Sequence, residues 1–140
     1  MTLDLDALAS SMPFSLGLGI ELEAASPDEV RGRLAWVPER CTVNGAMHGG
    51  ALMTLGDSMG AVCAFLNLPA GAGTATIESK TNFFRALRSG YAHAVCRPLH
   101  VGRTAIVVQT DIRDHDDKRV AQVTQTQAVL PSAGVGTGPK

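Results

Sequence analysis

From His48 to Leu66 the chain runs nineteen residues, HGGALMTLGDSMGAVCAFL, with one fully charged side chain, Asp57. A helix on a protein surface carries charge along its outer face, so a stretch this apolar must be covered nearly all round. Leu52, Leu55, Met59, Val62, Cys63 and Leu66 recur at i, i+3, i+4 and i+7, which predicts one helix with a core-facing stripe. Asp57 points the other way, among Gly50, Met53, Thr54, Gly60, Ala61 and Ala64. No cation stands within a turn of it on the same helix. A carboxylate left among small residues without a partner costs free energy, and that cost calls for a function.

The rest of the chain limits what that function is. Its 140 residues bound one modest core, and 12 basic against 13 acidic residues give no general pull toward nucleic acid or a membrane surface. Charge is unevenly spread: residues 78–103 hold Lys80, Arg85, Arg88, Arg97 and Arg103 against Glu78, a stretch suited to a phosphorylated ligand. Cys41, Cys63 and Cys96 lack metal-ligand spacing. His93 and His100, seven apart on a strand, are expected on opposite faces, so no metal site is read. Asp4 and Asp6 stand where a signal peptide needs lysines, and the long helix is read as too polar and glycine-rich to span a bilayer. A reduced, cytoplasmic protein is expected.

Along the chain, Leu5, Leu8, Ala9 and Met12 predict a short helix closed by Pro13. Strands are expected at 16–24 and 30–37, split by Ser26-Pro27-Asp28, and after the long helix at 74–84, 91–101, 105–113 and 119–130. Short separators between the last four predict a consecutive antiparallel meander, with Pro98 marking a bulge or an edge. The expectation is a single α+β domain over residues 1–130, its sheet curled around one helix, followed by a disordered tail at 131–140. One sheet cannot cover both faces of that helix, so a second copy of the chain is the simplest cover for the other.

Chemistry follows from the helix start. His48-Gly49-Gly50 presents unpaired backbone N–H groups at the positive end of the helix dipole, which is what an oxyanion hole requires. Asp57 lies eight residues on, about 12 Å along the axis at ~1.5 Å per residue. One carbonyl group cannot touch both, so a joint action needs Asp57 of one subunit and Gly49 of another. One carboxylate and one oxyanion donor are too little to expel a poor leaving group. A thiol leaves with a pKa of only about 8.5, so thioester hydrolysis fits the parts present.

The pattern Gly45-x-x-His48-Gly49-Gly50 with Asp57 nine residues after the histidine, then Thr76-x-Glu78-x-x-x-Asn82-Phe83-Phe84-Arg85 and Val101-Gly102-Arg103, resembles the hotdog-fold acyl-CoA thioesterases, nearest the phenylacetate-pathway and 4-hydroxybenzoyl-CoA branch. The resemblance covers about residues 16–130. It implies a hotdog fold, dimers pairing into tetramers, and aryl- or medium-chain acyl-CoA substrates with no cofactor beyond the substrate's own coenzyme A. It implies Asp57 as nucleophile or general base, the Gly49 N–H as oxyanion donor, His48 shaping that loop, and Thr76 near the attacking water. Gly50, Asn44, Ser58, Arg85 and Arg103 are the expected substrate and coenzyme contacts. Two positions depart from the pattern: Thr42 stands where relatives carry an Asn six residues before the histidine, with Asn44 four before it, and Ala86 replaces a proline.

Two other readings remain open at this point. One is a non-catalytic acyl-CoA or acyl-carrier binding module on the same fold. The other is a serine esterase, since Gly56-Asp57-Ser58-Met59-Gly60 matches G-x-S-x-G; that motif needs a strand-to-helix turn, and here it lies within a helical pattern.

Overall fold

Pro13 starts a helix where the sequence reading had it end one. Asp4 caps α1 (Leu5–Ser10), its carboxylate accepting from the Ala7 N–H at 3.1 Å. Pro13 then occupies the first turn of α2 (Pro13–Leu18), a position where its missing N–H costs nothing. Gly19, at φ 103°, closes α2 in the left-handed conformation that glycine adopts without strain. The first strand, expected from Leu16, therefore begins later, as β1 (Glu21–Ala25), and turns back into β2 (Val30–Ala35). These details come from a computed structural model that describes residues 3–132; most of the tail expected to be disordered lies outside the described residues.

Two short 3-10 turns lead into α3 (Gly49–Leu66), after which come β3 (Gly73–Phe83), β4 (Tyr91–Val101), β5 (Ala105–Arg113) and β6 (Arg119–Leu130). All six strands form one antiparallel sheet in the order β1-β2-β4-β5-β6-β3. It curls around α3, which packs on every strand. The four-strand meander is thus corrected: β4, β5 and β6 are consecutive neighbours, but β3 pairs with β6 at the far edge. Residues 84–90 are too long for a tight hairpin and carry buried Leu87 into the core, so the chain crosses from one sheet end to the middle.

The helix buries Leu52, Leu55, Met59, Val62 and Cys63, as its spacing predicted, against Val30, Leu34, Ile106, Val108 and Ile112. Burial of each large aliphatic side chain contributes about 1.5–3 kcal/mol. Gly56 makes the close approach to β6 possible, because a Cβ there would sit 2.5 Å from Val123 Cγ2. By length and mean hydropathy of 1.3, α3 passes as a membrane span, contrary to the sequence reading. It is instead the axis of the sheet, with 56% of its residues buried in the protein.

Bulges reset which side chains face the helix. In β3, Thr76 pairs with Gln127 and Glu78 with Thr126, so Ile77 is an extra residue. Before the bulge Thr74 and Thr76 face inward; after it Ser79, Thr81 and Phe83 do. A second bulge between Pro98 and His100, at the proline flagged in the sequence, puts His93 and His100 on the same outer face, contrary to expectation. Among the described residues no group of three potential ligands gathers into a metal site.

Candidate active site

His48 is the N-cap of α3, and its Nδ1 accepts from the Gly50 N–H at 2.8 Å. That bond leaves the ring proton on Nε2, on an exposed side chain. It also consumes one of the free donors expected at the helix start: Gly50 N–H serves the cap. Gly49, in the first helical position, keeps an N–H for which no acceptor exists among the described residues. The Phe83 ring lies over it, 3.1 Å from where a Cβ would be, so glycine leaves this approach narrow but open.

Asp57 sits two turns further on, half-buried. Its Oδ1 accepts from Thr76 Oγ1 at 3.0 Å and from Gln125 Nε2 at 3.1 Å. Thr76 Oγ1 in turn accepts from Gln127 Nε2 at 2.8 Å, and Thr74 Oγ1 lies 3.1 Å from Gln127 Oε1. The helix brings the acid, the edge strand brings a hydroxyl, and the neighbouring strand brings two buried carboxamides. No cation among the described residues takes part. Asp57 opens into a groove of about 570 Å³ lined by Phe14, Met53, Thr54, Ser58, Thr76 and Ser79, among others. An adjoining groove, sharing Phe14, Gly50 and Thr54, runs back to His48 and Arg40.

The other candidates divide. Ser58 borders Asp57, but its hydroxyl donates to Thr54 O at 2.6 Å and pairs with Ser15 Oγ at 2.6 Å; it has no histidine partner. The G-x-S-x-G match lies wholly inside α3, so the nucleophile-elbow geometry is missing. Asn44 is exposed in the loop before α3, at φ 63°, and its carbonyl accepts from Arg88 Nε at 3.2 Å. Arg85 and Arg103 stand at opposite ends of the sheet. Arg85 lines a pocket with Arg88, His115 and Lys118, whereas Arg103 is at the β4–β5 turn, beside the far end of β6. The Arg85 N–H meets Val120 O and Thr104 O meets the Val129 N–H, nine β6 residues apart, about 30 Å at ~3.3 Å each, so within one chain the two arginines cannot grip the same phosphate.

Sequence reasoning missed Gln125 and Gln127. Both faces of Val123-Thr124-Gln125-Thr126-Gln127 carry polar residues, so alternation alone does not reveal which side is buried. Only the sheet order, with β6 between β5 and β3, turns the glutamines onto α3.

Comparison with known proteins agrees with this fold. Residues 44–121 match the thioesterase superfamily. The chain is 32% identical over 136 residues to protein PA1618 of Pseudomonas aeruginosa, covering 95% of this chain and 94% of that one. The crystal structure of a mutant of that protein, there named a thioesterase, superposes with a TM-score of 0.87. Thioesterase HI1161 of Haemophilus influenzae superposes at 0.89 with 25% identity, covering 98% and 97% of the two chains. A shorter match, 33% over 86 residues, covers 61% of this chain and 63% of the 1,4-dihydroxy-2-naphthoyl-CoA hydrolase of Escherichia coli. The chain belongs to the thioesterase superfamily: it is a hotdog-fold thioester hydrolase.

Proposed function

We propose that the enzyme hydrolyses acyl-CoA thioesters to free acid and coenzyme A, in sites each built from two copies of the chain. Asp57 attacks the thioester carbon or deprotonates the water that does; Thr76 orients it; the partner's Gly49 N–H takes the developing negative charge on the carbonyl oxygen. The coenzyme A thiolate then leaves without needing a general acid, and where Asp57 was itself the nucleophile, water hydrolyses the resulting acyl–Asp57 anhydride to the free acid and restores the carboxylate. The observation that carries this reading is the lone carboxylate held by Thr76 and Gln125, with no cation among the described residues beside it, at an open groove.

The two-chain site rests on geometry. Helix α3 is continuous, so Asp57 and Gly49 of one chain stay about 12 Å apart along it. Along β3, Thr76 marks the Asp57 level and Phe83 the Gly49 level. The outer edge of β3 has no strand partner among the described residues, and Ile77, Phe83 and Phe84 are more than half exposed there. Two such edges pairing antiparallel, centred near Ser79 and Lys80, bring the partner's Gly49 level beside Thr76 and Asp57. That pairing also covers an 11-residue edge that otherwise invites aggregation.

For the acyl group, an apolar groove of about 500 Å³ lies between α1 and the second half of α3, lined by Leu8, Met12, Ala61, Val62, Phe65 and Thr74, among others. Ala61 is one turn beyond Asp57 and Phe65 two, the direction a medium chain or aromatic ring would take from the reacting carbon. The aryl-CoA activity in the name of the Escherichia coli relative supports the same substrate class. Release of free thiol from a panel of aryl- and medium-chain acyl-CoAs tests the proposal, with Asp57→Asn turning over roughly 10²-fold more slowly. Binding of these thioesters without hydrolysis would point to the carrier-module reading instead.

A further inference from the structure

Gln125 and Gln127 are 0% and 1% exposed on the core face of β6, in line with Ala121 and Val123. Burying a carboxamide costs free energy unless every donor and acceptor is met. Here the requirement is not fully met: Gln125 Oε1 has no hydrogen-bond partner among the described residues. Gly60 on α3 makes the room, for a Cβ there would sit 2.4 Å from the Gln125 carboxamide carbon. Two large polar groups therefore occupy core space that aliphatic side chains would fill at less cost.

Their donors converge on the acid. Gln125 Nε2 donates to Asp57 Oδ1. Gln127 Nε2 donates to Thr76 Oγ1, so the threonine's own proton is turned toward Asp57 Oδ1. Thr74 Oγ1 offers its one proton to Ala128 O at 2.8 Å and to Gln127 Oε1 at 3.1 Å, an orientation of the carboxamide that leaves Nε2 facing Thr76. Both donors to Asp57 meet one oxygen, and Oδ2 receives none from the described residues. We infer that Gln125 and Gln127 are positioning residues that fix Oδ1 and leave Oδ2 as the oxygen that reacts. This rests on the reading of Asp57 as nucleophile or base.

The test is a kinetic cycle on the full chain with the best acyl-CoA from the panel, read as kcat, KM and Tm. Gln125→Met keeps the volume and removes the unmet acceptor. Its kcat is expected to fall roughly tenfold, the scale of one hydrogen bond to a charged group, with KM unchanged and Tm equal or higher. Gly60→Ala, which touches no substrate, displaces the same carboxamide and is expected to lower kcat in the same direction. Added to Asp57→Asn, Gln125→Met should have no further effect. Wild-type kcat in both Gln125→Met and Gly60→Ala, or a Gln125→Met loss that multiplies fully onto Asp57→Asn, would overturn the inference. So would a loss that only follows a lowered Tm or a raised KM. A wild-type rate in Asp57→Asn would instead remove the underlying reading of the acid.

Discussion

Thr76 and Asp57, nineteen residues apart in the chain, share a 3.0 Å hydrogen bond because Ile77 bulges out of β3. Up to the bulge the inward residues are even-numbered; beyond it they are odd, so both Thr76 and Ser79 reach the groove. The hydroxyl is thus placed by strand register. Thr76→Val keeps the shape and removes the donor. Its kcat is expected to fall about tenfold or more, while Thr76→Ser stays within a few-fold of wild type. Equal rates for the two variants would deny Thr76 its orienting role.

The α3–β6 contact should be intolerant of a single methyl. A Cβ at Gly56 would lie 2.5 Å from Val123 Cγ2, in a packed core. Gly56→Ala is expected to cost about 1–3 kcal/mol in denaturant unfolding, despite alanine's better helix propensity. The double variant Gly56→Ala with Val123→Ala should recover part of that loss.

Chain-length selectivity should respond to the apolar groove. Ala61 lies on its wall, one turn from Asp57. Ala61→Phe is expected to raise KM for longer acyl-CoAs by roughly tenfold and to spare short ones, since each lost apolar contact weakens binding by about 1–3 kcal/mol. Competition between short and long thioesters measures this directly.

The β5–β6 turn supplies a pH test of the fold away from the site. The backbone N–H of Lys118, and then that of Asp116, hold the Asp114 carboxyl below its usual range. A lowered acid stabilises the folded loop above the ordinary carboxylate pKa and loses that effect as pH falls through the lowered value. The Tm gap between wild type and Asp114→Ala should therefore be full above about pH 4 and close below it.

Much of this was legible in the chain itself. The nearly uncharged helix, its core stripe, its start at His48-Gly49-Gly50 and the lack of a cation for Asp57 on the same helix follow from spacing and composition alone. Strand bounds after residue 90 agree because Gly102-Arg103 and Asp114–Asp117 are strong turn signals. The β3–β6 pairing was not legible: local turn signals predict neighbours in sequence, whereas this contact spans the whole sheet. The second helix was hidden because Pro13 serves equally as a stop and as a first-turn residue. The glutamines escaped notice because a strand polar on both sides gives no sign of which side is buried.

The shared site can be tested by mixing two damaged enzymes. Asp57→Asn removes the acid. Gly49→Pro removes the oxyanion N–H at a first-turn position where proline fits the helix. Each variant alone should be nearly inactive. Dissociated, mixed in equal amounts and reassociated, they should regain about a quarter of wild-type turnover, because half the dimers are mixed and each mixed dimer carries one intact site. Mixed dimers verified by native mass spectrometry that recover no activity would contradict a site built from Asp57 of one chain and Gly49 of the other.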